Sequence, residues 1–341
     1  MIERALSAAV ETLKAAEKIL VISHIGPDID TVGSMLALKL ALRKAGKWVT
    51  AYNADGLPPN MLFLPDAKTV ETKLDSRRRF DATVCVDAGS ADRFGPLFPG
   101  DRRRFGTIVK VDHHLTQEHF ADQEVVDTQS ASCAELVARL IRAWPLRFDR
   151  KLALCIYAAI VSDTGGFRYS NTNKAAFHWA AELLDYGVDP WQMTTMLYEN
   201  RPRQEVRLLG DVLGTLDVSH DGRYASLTIT EEMMARRHAE EYMTDGFINY
   251  ARSINGVEVA ILFLQRAPGD SFRVSFRSKG TVDVSLIAAR LGGGGHHNAA
   301  GCRLRGALDD VKRKLYRMVE ETLPKAAGRS KAKAAKLAAG M

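Results

Sequence analysis

Short, almost continuously apolar runs alternate with segments of helical periodicity in the first half of the chain. The runs that we interpret as strands are Ile19–His24, Trp48–Asn53, Ala82–Gly89 and Thr107–His114. Helical patterns are found at 31–45, 132–144, 151–161 and 174–186. Strands that are apolar throughout are typical of a parallel sheet with helices on both faces. We therefore predict an α/β domain, in which ligands bind beyond the carboxyl ends of the strands.

The pattern changes after Gly187-Val188-Asp189-Pro190, where a polar segment, 190–209, predicts a connector helix. The segments after it predict a hairpin turning at Asp221-Gly222, two strands flanking Pro268-Gly269-Asp270 and a helix near 284–291. These short strands and helices indicate a smaller α+β domain. We place the first domain at 1–189, the connector at 190–212, the second domain at 213–324 and a basic tail, disordered or a frayed helix, at 325–341.

The formal net charge of +6 comes mainly from the end of the chain. Residues 325–341 contain five basic residues and no acidic residue, which leaves a net charge of +1 for residues 1–324. A nearly neutral body does not by itself attract polyanions. Any strong binding of nucleic acid must therefore come from the tail or from a local basic patch.

The sequence indicates a cytoplasmic protein. The longest apolar run, Leu152–Val161, is far shorter than the roughly 18 residues that a membrane-spanning helix needs. Charged residues are interleaved with apolar ones over the first 20 residues, which predicts an amphipathic helix and not a signal peptide. The four cysteines lie far apart, so we expect reduced core residues, because a zinc site needs closer spacing.

Acidic residues and histidines follow the apolar runs in four places. These candidates are His24, Asp28 and Asp30; Asp87; Asp112, His113 and His114; and Asp163, which closes the apolar stretch that begins near Leu152. A single Asp after a strand is more often the N-cap of a helix. The joint pattern is different, because so many carboxylates at one sheet edge would repel each other without cations. We therefore predict a metal site.

The residue types at this edge also indicate which metal binds. Carboxylates mixed with imidazoles suit divalent ions between hard magnesium and softer zinc, so manganese is a natural candidate. Two ions about 3.5–4 Å apart share a bridging carboxylate, and together they activate water and stabilise a phosphoryl oxygen. The predicted set is large enough for two such ions.

The second half contains a glycine run that continues with two histidines, from Gly292 through His296-His297-Asn298 to Gly301. It matches neither the dinucleotide fingerprint nor the P-loop. A flexible linker is the alternative, but glycines also let backbone N–H groups approach a phosphate closely. Together with the nearby Arg277 and Ser278 we interpret the run as an anion pocket, with Arg168 and Asn171 as weaker candidates.

Two signatures together resemble those of a known family. HxxxDxD, a strand-end Asp, a DHH triplet and a later Asp, in that order, resemble the DHH phosphoesterase superfamily, and GGGGHxxAAG resembles the motif of its associated C-terminal substrate domain. The resemblance extends over nearly the whole chain except the tail. Length and order are most similar to nanoRNase-type oligoribonucleases, some of which also remove the 3′-phosphate of adenosine 3′,5′-bisphosphate. Ile29 stands where these proteins usually have glycine.

The resemblance implies roles for individual residues and two Mn²⁺ ions per chain, with Mg²⁺ or Co²⁺ as substitutes. The implied ligands are His24, Asp28 and Asp87 for one ion and Asp30, Asp87, His113 and Asp163 for the other, with Asp87 bridging. His114 would act on the substrate phosphate as a donor or acid, and Asp112 would orient the neighbouring histidines. The implied substrate-binding residues are Arg277, Ser278, Gly294, Gly295 and His296, with His296 favoured over His297.

Three functions follow from these observations. The first is hydrolysis of short RNA or nucleotides, and the second is an inorganic pyrophosphatase or exopolyphosphatase of the same superfamily. The third is a non-catalytic nucleic-acid-binding protein that uses the basic tail, which leaves the acidic cluster unexplained. The expected partner is a short RNA or nucleotide substrate and not a membrane. The sequence leaves open whether the chain forms a homodimer, and no protein partner can be inferred from it.

Overall fold

Parallel strands form the sheet of the N-terminal part of the chain. They are β1 Lys18–Ser23, β2 Trp48–Tyr52, β3 Ala82–Val86, β4 Thr107–Asp112 and β5 Gln123–Val126. All neighbours pair in parallel, in the order β2-β1-β3-β4-β5. The predicted α/β class is confirmed. The sequence did not predict β5, because this short edge strand buries only Val125. The order changes direction between β1 and β3, where ligands bind in open sheets of this kind.

Helices cover one face of this sheet. They are α1 Ile2–Ala15, α2 Ile29–Lys44, α3 Cys133–Ala143, α4 Arg150–Asp163, α5 Lys174–Leu184 and α6 Pro190–Tyr198. Alternate strand residues such as Ile19, Val21 and Val84 share a core with them. The central helix is α2, and its Gly33 permits close contact with α4. A Cβ at this position would lie 2.6 Å from the carbonyl oxygen of Cys155.

The other face of the sheet differs from the expectation of helices on both faces. Its strand residues, such as Leu20 and Cys85, pack against a cluster of aromatic rings that includes Phe94, Phe98 and Phe105. Within the described residues, this cluster contains 3₁₀ turns and coil but no α-helix residue. The rings are bulky enough to bury this face without a helix.

The predicted connector helix is interrupted. The segment contains α6 and a further helix, α7 Arg203–Leu213, with a break before Pro202. A residue that precedes proline is disfavoured in the helical conformation, which explains the break at Arg201. The chain also divides here into two compact units, the first ending at Arg201 and the second beginning at Pro202.

A six-stranded mixed sheet forms the second unit. The strands are β6 Asp217–Val218, β7 Tyr224–Ile229, β8 Val259–Arg266, β9 Ser271–Ser278, β10 Gly294–His296 and β11 Ala299–Arg305, and the further helices are α8 Glu231–Arg237, α9 Ile248–Ser253, α10 Val284–Ala289 and α11 Leu308–Thr322. The order is β10-β11-β9-β8-β7-β6, in which only β7 and β8 pair in parallel. The hairpin at Asp221-Gly222 is present. The α+β class is confirmed, although α8, α9, α11, β10 and β11 were not predicted.

Both faces of the second sheet are buried. In β8, Val259, Ile261 and Phe263 face a core shared with α10 and α11. The intervening residues of the same strand face a second core shared with α7 and α9. This alternation is the period of two that a strand imposes.

The structure describes residues 2–98, 100, 102–115, 118–266 and 270–324. The predictions for the basic tail, 325–341, and for the turn at Pro268-Gly269 lie outside these residues. No helix in the described ranges is long and apolar enough to cross a membrane. All four cysteines are buried, as expected of core residues.

Candidate metal centre

The carboxyl ends of β1, β3 and β4 bring acidic side chains and histidines together. Their ligand atoms form three groups, each within 4.8 Å: His24, Asp28 and Asp87; Asp30, His113 and Asp163; and Asp87, His113 and His114. Two residues, Asp87 and His113, each belong to two of the groups. All six predicted metal ligands therefore lie in one connected cluster.

Asp163 reaches this cluster from a helix. It is the last residue of α4, which confirms the helical pattern predicted for 151–161. The Oδ2 atom of Asp163 lies 3.8 Å from Nε2 of His113.

Asn171 orients Asp163. Its Nδ2 donates to the backbone oxygen of Asp163 at 3.1 Å, to Oδ2 of the same residue at 3.3 Å and to the carbonyl oxygen of Ala131 at 2.9 Å. The sequence suggested Asn171 as part of an anion pocket, whereas the structure shows it in contact with a carboxylate.

Asp87 lies at the centre of the cluster and is almost completely buried. Its Oδ2 lies 3.5 Å from Nε2 of His24, and its Oδ1 lies 3.5 Å from Nε2 of His113. Within the described part of the chain, the buried Oδ1 atom has no hydrogen-bond partner. A buried carboxylate oxygen without a partner is costly, and a cation would remove that cost. The donor set therefore fits a divalent metal ion.

His24 and His113 each face the carboxylates with one ring nitrogen. Nδ1 of His24 donates to the carbonyl oxygen of Ile25 at 3.0 Å, and Nδ1 of His113 donates to that of Ser130 at 3.2 Å. A carbonyl oxygen can only accept, so in both rings Nε2 faces the carboxylates. This is the arrangement of metal-binding histidines, in which the second nitrogen is fixed by a hydrogen bond.

The acidic residues of the cluster have pKa values far from their usual values. Burial would raise the pKa of the Asp87 carboxyl, but the neighbouring His113 and His24 hold it well below its usual range. Burial and the carboxylates of Asp87 and Asp163 raise the pKa of Asp30 well above its usual value. Burial and Asp87 raise the pKa of Asp163 to about 7 despite the opposing effect of His113. Several carboxylates thus compete for positive charge.

Backbone N–H groups hold two of the acidic residues in place. Both carboxylate oxygens of Asp30 accept from the first turn of α3, at 2.7 Å from the amide of Cys133 and 3.2 Å from that of Ala134. Asp28 caps α2 by accepting from the amide of Thr31 at 2.9 Å, while its other oxygen lies 3.8 Å from His24. Asp28 therefore combines the structural role of an N-cap with a place in the cluster.

His114 differs from the other two histidines. Its Nδ1 donates to Oδ1 of the buried Asp112 at 2.7 Å. That bond orients the ring. The side chain is 30% exposed, compared with 10% for His113. His114 is thus the more accessible of the two.

Two residues near His24 were not predicted from the sequence. Nδ2 of the buried Asn53 donates to Oγ of Ser23 and to the carbonyl oxygen of His24, both at 2.8 Å. Asn53 directly follows β2, so its place at the same strand edge was a usable signal. Arg93 lies with Nη2 at 3.2 Å from Nδ1 of His24, and no sequence pattern indicated it.

The candidate substrate residues of the second unit lie on β9 and β10, the two strands that flank β11. Both Arg277 on β9 and His296 on β10 are in register with Ala299 on β11. Gly295 has a φ of 140°, and a Cβ there would lie 2.5 Å from the carbonyl oxygen of Ala299, so this position requires glycine.

Three further residues considered for substrate binding, Ser278, His297 and Arg168, form polar contacts within the protein. The Ser278 hydroxyl is buried and donates to Oδ1 of Asn298 at 2.9 Å. His297 donates from Nε2 to the carbonyl oxygen of Gly280 at 3.1 Å, and its Nδ1 lies 3.4 Å from Asp283. In the first unit, the exposed Arg168 donates from Nε to the carbonyl oxygen of Gly165 at 2.6 Å.

A parallel sheet with this acidic and imidazole cluster defines a metal-dependent hydrolase. The model of the DHH family N-terminal domain matches residues 18–160, and the model of the DHHA1 domain matches residues 229–324. With a relative at 34% identity over most of both chains, the chain belongs to the DHH family. It is a metal-dependent phosphoesterase.

Similar proteins of known name support this assignment. The chain is 34% identical to the bifunctional oligoribonuclease and PAP phosphatase NrnA of Thermus thermophilus, covering 93% of this chain and 94% of the relative. It is 28% identical to a probable protein of the same name from Streptococcus mutans, covering 87% and 93%. Among solved structures, an exopolyphosphatase-related protein from Bacteroides fragilis superposes with a TM-score of 0.85 at 26% identity, covering 94% and 96%.

Replacing Asn171 with alanine should weaken metal binding without unfolding the protein. The amide orients Asp163, and loss of such a partner typically lowers metal affinity by about 10–100-fold. Calorimetric titration of metal-stripped protein with Mn²⁺ measures this. Asn173→Ala is the matched control, because its amide donates to a backbone carbonyl, that of Gln129. Equal Mn²⁺ affinity of Asn171→Ala and wild type would contradict the role.

Proposed function

We propose that this protein hydrolyses short oligoribonucleotides, including dinucleotides, to mononucleotides and that it removes the 3′-phosphate of adenosine 3′,5′-bisphosphate. The observation that carries the proposal is the connected cluster around Asp87, whose buried carboxylate belongs to two of the three ligand groups. The substrate class is supported by the relatives named as bifunctional oligoribonuclease and PAP phosphatase, which align over nearly their full length.

We assign two Mn²⁺ ions to this cluster, with Mg²⁺ or Co²⁺ able to replace them. His24, Asp28 and Asp87 would hold one ion, and Asp30, Asp87, His113 and Asp163 the other. Two divalent ions at such a site supply Lewis-acid activation of water and stabilise charge on the phosphoryl oxygens. Asp87 lies within 3.5 Å of histidines from both sets, which supports its role as the bridging ligand.

His114 and Asp112 would handle the proton. His114 is held by Asp112 through Nδ1, and we assign to its Nε2 the donation of a proton to the leaving oxygen of the substrate. The negative charge of Asp112 stabilises the protonated imidazole, whereas burial favours the neutral ring. Burial lowers the pKa of His114, but Asp112 and Asp87 raise it above its usual value. This favours the protonated form that an acid needs.

The other functions explain the site less well. A pyrophosphatase or exopolyphosphatase of the same superfamily would use the same metals, but the relatives from Thermus thermophilus and Streptococcus mutans are named bifunctional oligoribonuclease and PAP phosphatase, the second as probable. A non-catalytic nucleic-acid-binding protein has no need for buried carboxylates that repel polyanions. We also propose a cytoplasmic location, with the first unit as the catalytic domain.

A substrate panel tests the proposed function. Metal-stripped protein would be assayed with and without Mn²⁺ on a 5′-labelled dinucleotide, adenosine 3′,5′-bisphosphate, inorganic pyrophosphate, polyphosphate and a long RNA. We expect Mn²⁺-dependent turnover of the first two substrates, with kcat/KM well above that for the others. Faster hydrolysis of pyrophosphate or polyphosphate would refute the proposal, and binding of long RNA without any turnover would favour the non-catalytic function.

We further propose that the second unit binds the part of the substrate that does not react, through Arg277, Gly294, Gly295 and His296. The Ser278 hydroxyl, which donates to Asn298, would hold the neighbouring turn instead. Glycines at 294 and 295 leave backbone groups accessible to a phosphate or sugar.

Replacing Arg277 with alanine should affect large substrates selectively. A charge-assisted hydrogen bond contributes about 1.5–3 kcal/mol, so kcat/KM for a dinucleotide should fall by the corresponding factor. Bis-p-nitrophenyl phosphate lacks the remote part of the substrate and should be cleaved almost as before. Arg273→Ala on the same strand is the matched control. Equal losses on both substrates would show that Arg277 supports the fold and not substrate binding.

A further inference from the structure

Arg93 is an exposed arginine beside the candidate metal centre. It belongs to the 3₁₀ turn Ala91–Phe94, and its Nη2 lies 3.2 Å from Nδ1 of His24. The backbone carbonyl of Arg93 accepts from the amide of Ile25 at 2.7 Å, which ties the turn to the segment after β1. A permanent positive charge is therefore held next to a proposed metal ligand.

The contact between Arg93 and His24 does not satisfy the donors of the guanidinium. Nδ1 of His24 also lies 3.0 Å from the carbonyl oxygen of Ile25, and this oxygen can only accept a hydrogen bond. Nδ1 therefore carries the hydrogen and donates it to Ile25, which leaves no lone pair for the guanidinium. In the described ranges, the Arg93 side chain has no hydrogen-bond contact other than this one with His24, so its donors are available to a ligand.

The position of Arg93 indicates which part of a substrate it can reach. Nε2 of His24 faces the carboxylates of Asp28 and Asp87, at 3.8 and 3.5 Å, whereas Arg93 lies at the Nδ1 side of the ring. The imidazole ring thus separates the guanidinium from the point where the carboxylates converge. An anionic group bound by Arg93 would lie beside the reacting phosphate and would not be that phosphate.

We propose that Arg93 binds a second, non-reacting phosphate of the substrate, such as the terminal phosphate of a 5′-phosphorylated dinucleotide. The planar fork of a guanidinium binds two phosphate oxygens at once, which an exposed arginine beside a metal centre is well suited to do. The inference rests on the proposed function, because it requires a substrate with more than one phosphate. Arg93 then makes the enzyme selective for phosphorylated ends.

The test compares two substrates that differ in one phosphate. Wild type, Arg93→Ala and Arg93→Lys would be assayed with Mn²⁺ on a 5′-phosphorylated dinucleotide and on the same dinucleotide without its terminal phosphate. For Arg93→Ala we expect kcat/KM to fall by about 10–100-fold on the phosphorylated substrate, mainly through KM, and to change less than about twofold on the other. Arg93→Lys should recover part of the loss. Arg79→Ala, which removes an exposed arginine elsewhere in the same unit, should behave as wild type.

Metal affinity distinguishes substrate binding from support of His24. Calorimetric titration of metal-stripped Arg93→Ala with Mn²⁺ should give the wild-type affinity, since the guanidinium does not contact a metal. Weaker Mn²⁺ binding together with equal losses on both substrates would show that Arg93 only positions His24, and would overturn the proposal. Unchanged kinetics on both substrates would overturn it as well.

A binding measurement keeps this inference separate from the proposed function. If wild type cleaves neither dinucleotide, the proposed function fails. The affinities of wild type and Arg93→Ala for adenosine 3′,5′-bisphosphate and for adenosine 5′-monophosphate, measured in Ca²⁺, then decide the role of Arg93. We expect the variant to lose about tenfold or more in affinity for the bisphosphate and little for the monophosphate. Equal affinities of both proteins for the bisphosphate would refute the inference.

Discussion

Asp87→Asn should lose at least one equivalent of bound metal and at least about 100-fold in turnover, more than the loss of a residue that only orients a ligand. Asp87 lies between His24 and His113, and its buried Oδ1 has no hydrogen-bond partner among the described residues. Asparagine keeps the shape but removes the charge that would bridge two cations. It also suits the φ of 65° at this position, which would strain alanine. Metal content by mass spectrometry and kcat on a dinucleotide measure both effects.

The control for Asp87→Asn is another aspartate with nearly the same backbone conformation. Asp66 has a φ of 64° and pairs with Lys39 and Arg43, outside the metal cluster. Asp66→Asn should keep metal content and turnover, with any cost confined to the melting temperature. Near-wild-type activity of Asp87→Asn at saturating Mn²⁺ would exclude Asp87 as the bridging ligand.

Replacing His114 with alanine should lower kcat by about 10²–10⁴, the range for a positioned proton donor, while metal content stays near the wild-type value. The reason is the bond from Nδ1 to Asp112, which holds the ring in position for the proposed donation of a proton from Nε2. The measurement pairs metal stoichiometry with steady-state kinetics on a dinucleotide.

His119 provides the matched control for this variant. It is a further histidine on the segment between β4 and β5, its side chain is 84% exposed, and its Nδ1 lies 3.0 Å from Glu124. His119→Ala should keep both metal content and kcat. If the metal content of His114→Ala falls in step with its activity, His114 is a metal ligand and not the acid.

The positions of the site residues could be predicted where a strand ends in a charged residue. Asp87 follows β3 and Asp112 is the last residue of β4. Because parallel strands end at one edge, their proximity follows from the fold class. Asp163 ends α4, where a helical pattern was predicted, and its place beside the strand ends was indicated only by the joint pattern of acidic residues.

Contacts made by single side chains across the fold were beyond the sequence. Arg93 has no periodic neighbour or motif, and its contact with His24 depends on how the turn after β3 packs against the segment after β1. Likewise, nothing in the sequence indicated that aromatic rings such as Phe98 would cover the second face of the sheet in place of helices. Asn53 is the exception, because a polar residue directly after β2 was a signal that could have been used.

In the second unit, too, some elements could be predicted from the sequence and others could not. Its hairpin was predicted from Asp221-Gly222, a dipeptide with a known turn preference. The strand β10 was not predicted, because its glycines have no side chains to give an alternating pattern. Its pairing with β11 comes from the antiparallel register around Gly301, which only the folded chain defines.

The most direct test of the account is a Mn²⁺ titration of metal-stripped protein in which bound metal and dinucleotide hydrolysis are measured on the same samples. If two ions share Asp87, hydrolysis should be negligible without metal and should approach its maximum only as the second equivalent binds. Full activity at one bound equivalent, or hydrolysis that does not depend on metal, would contradict the two-metal centre.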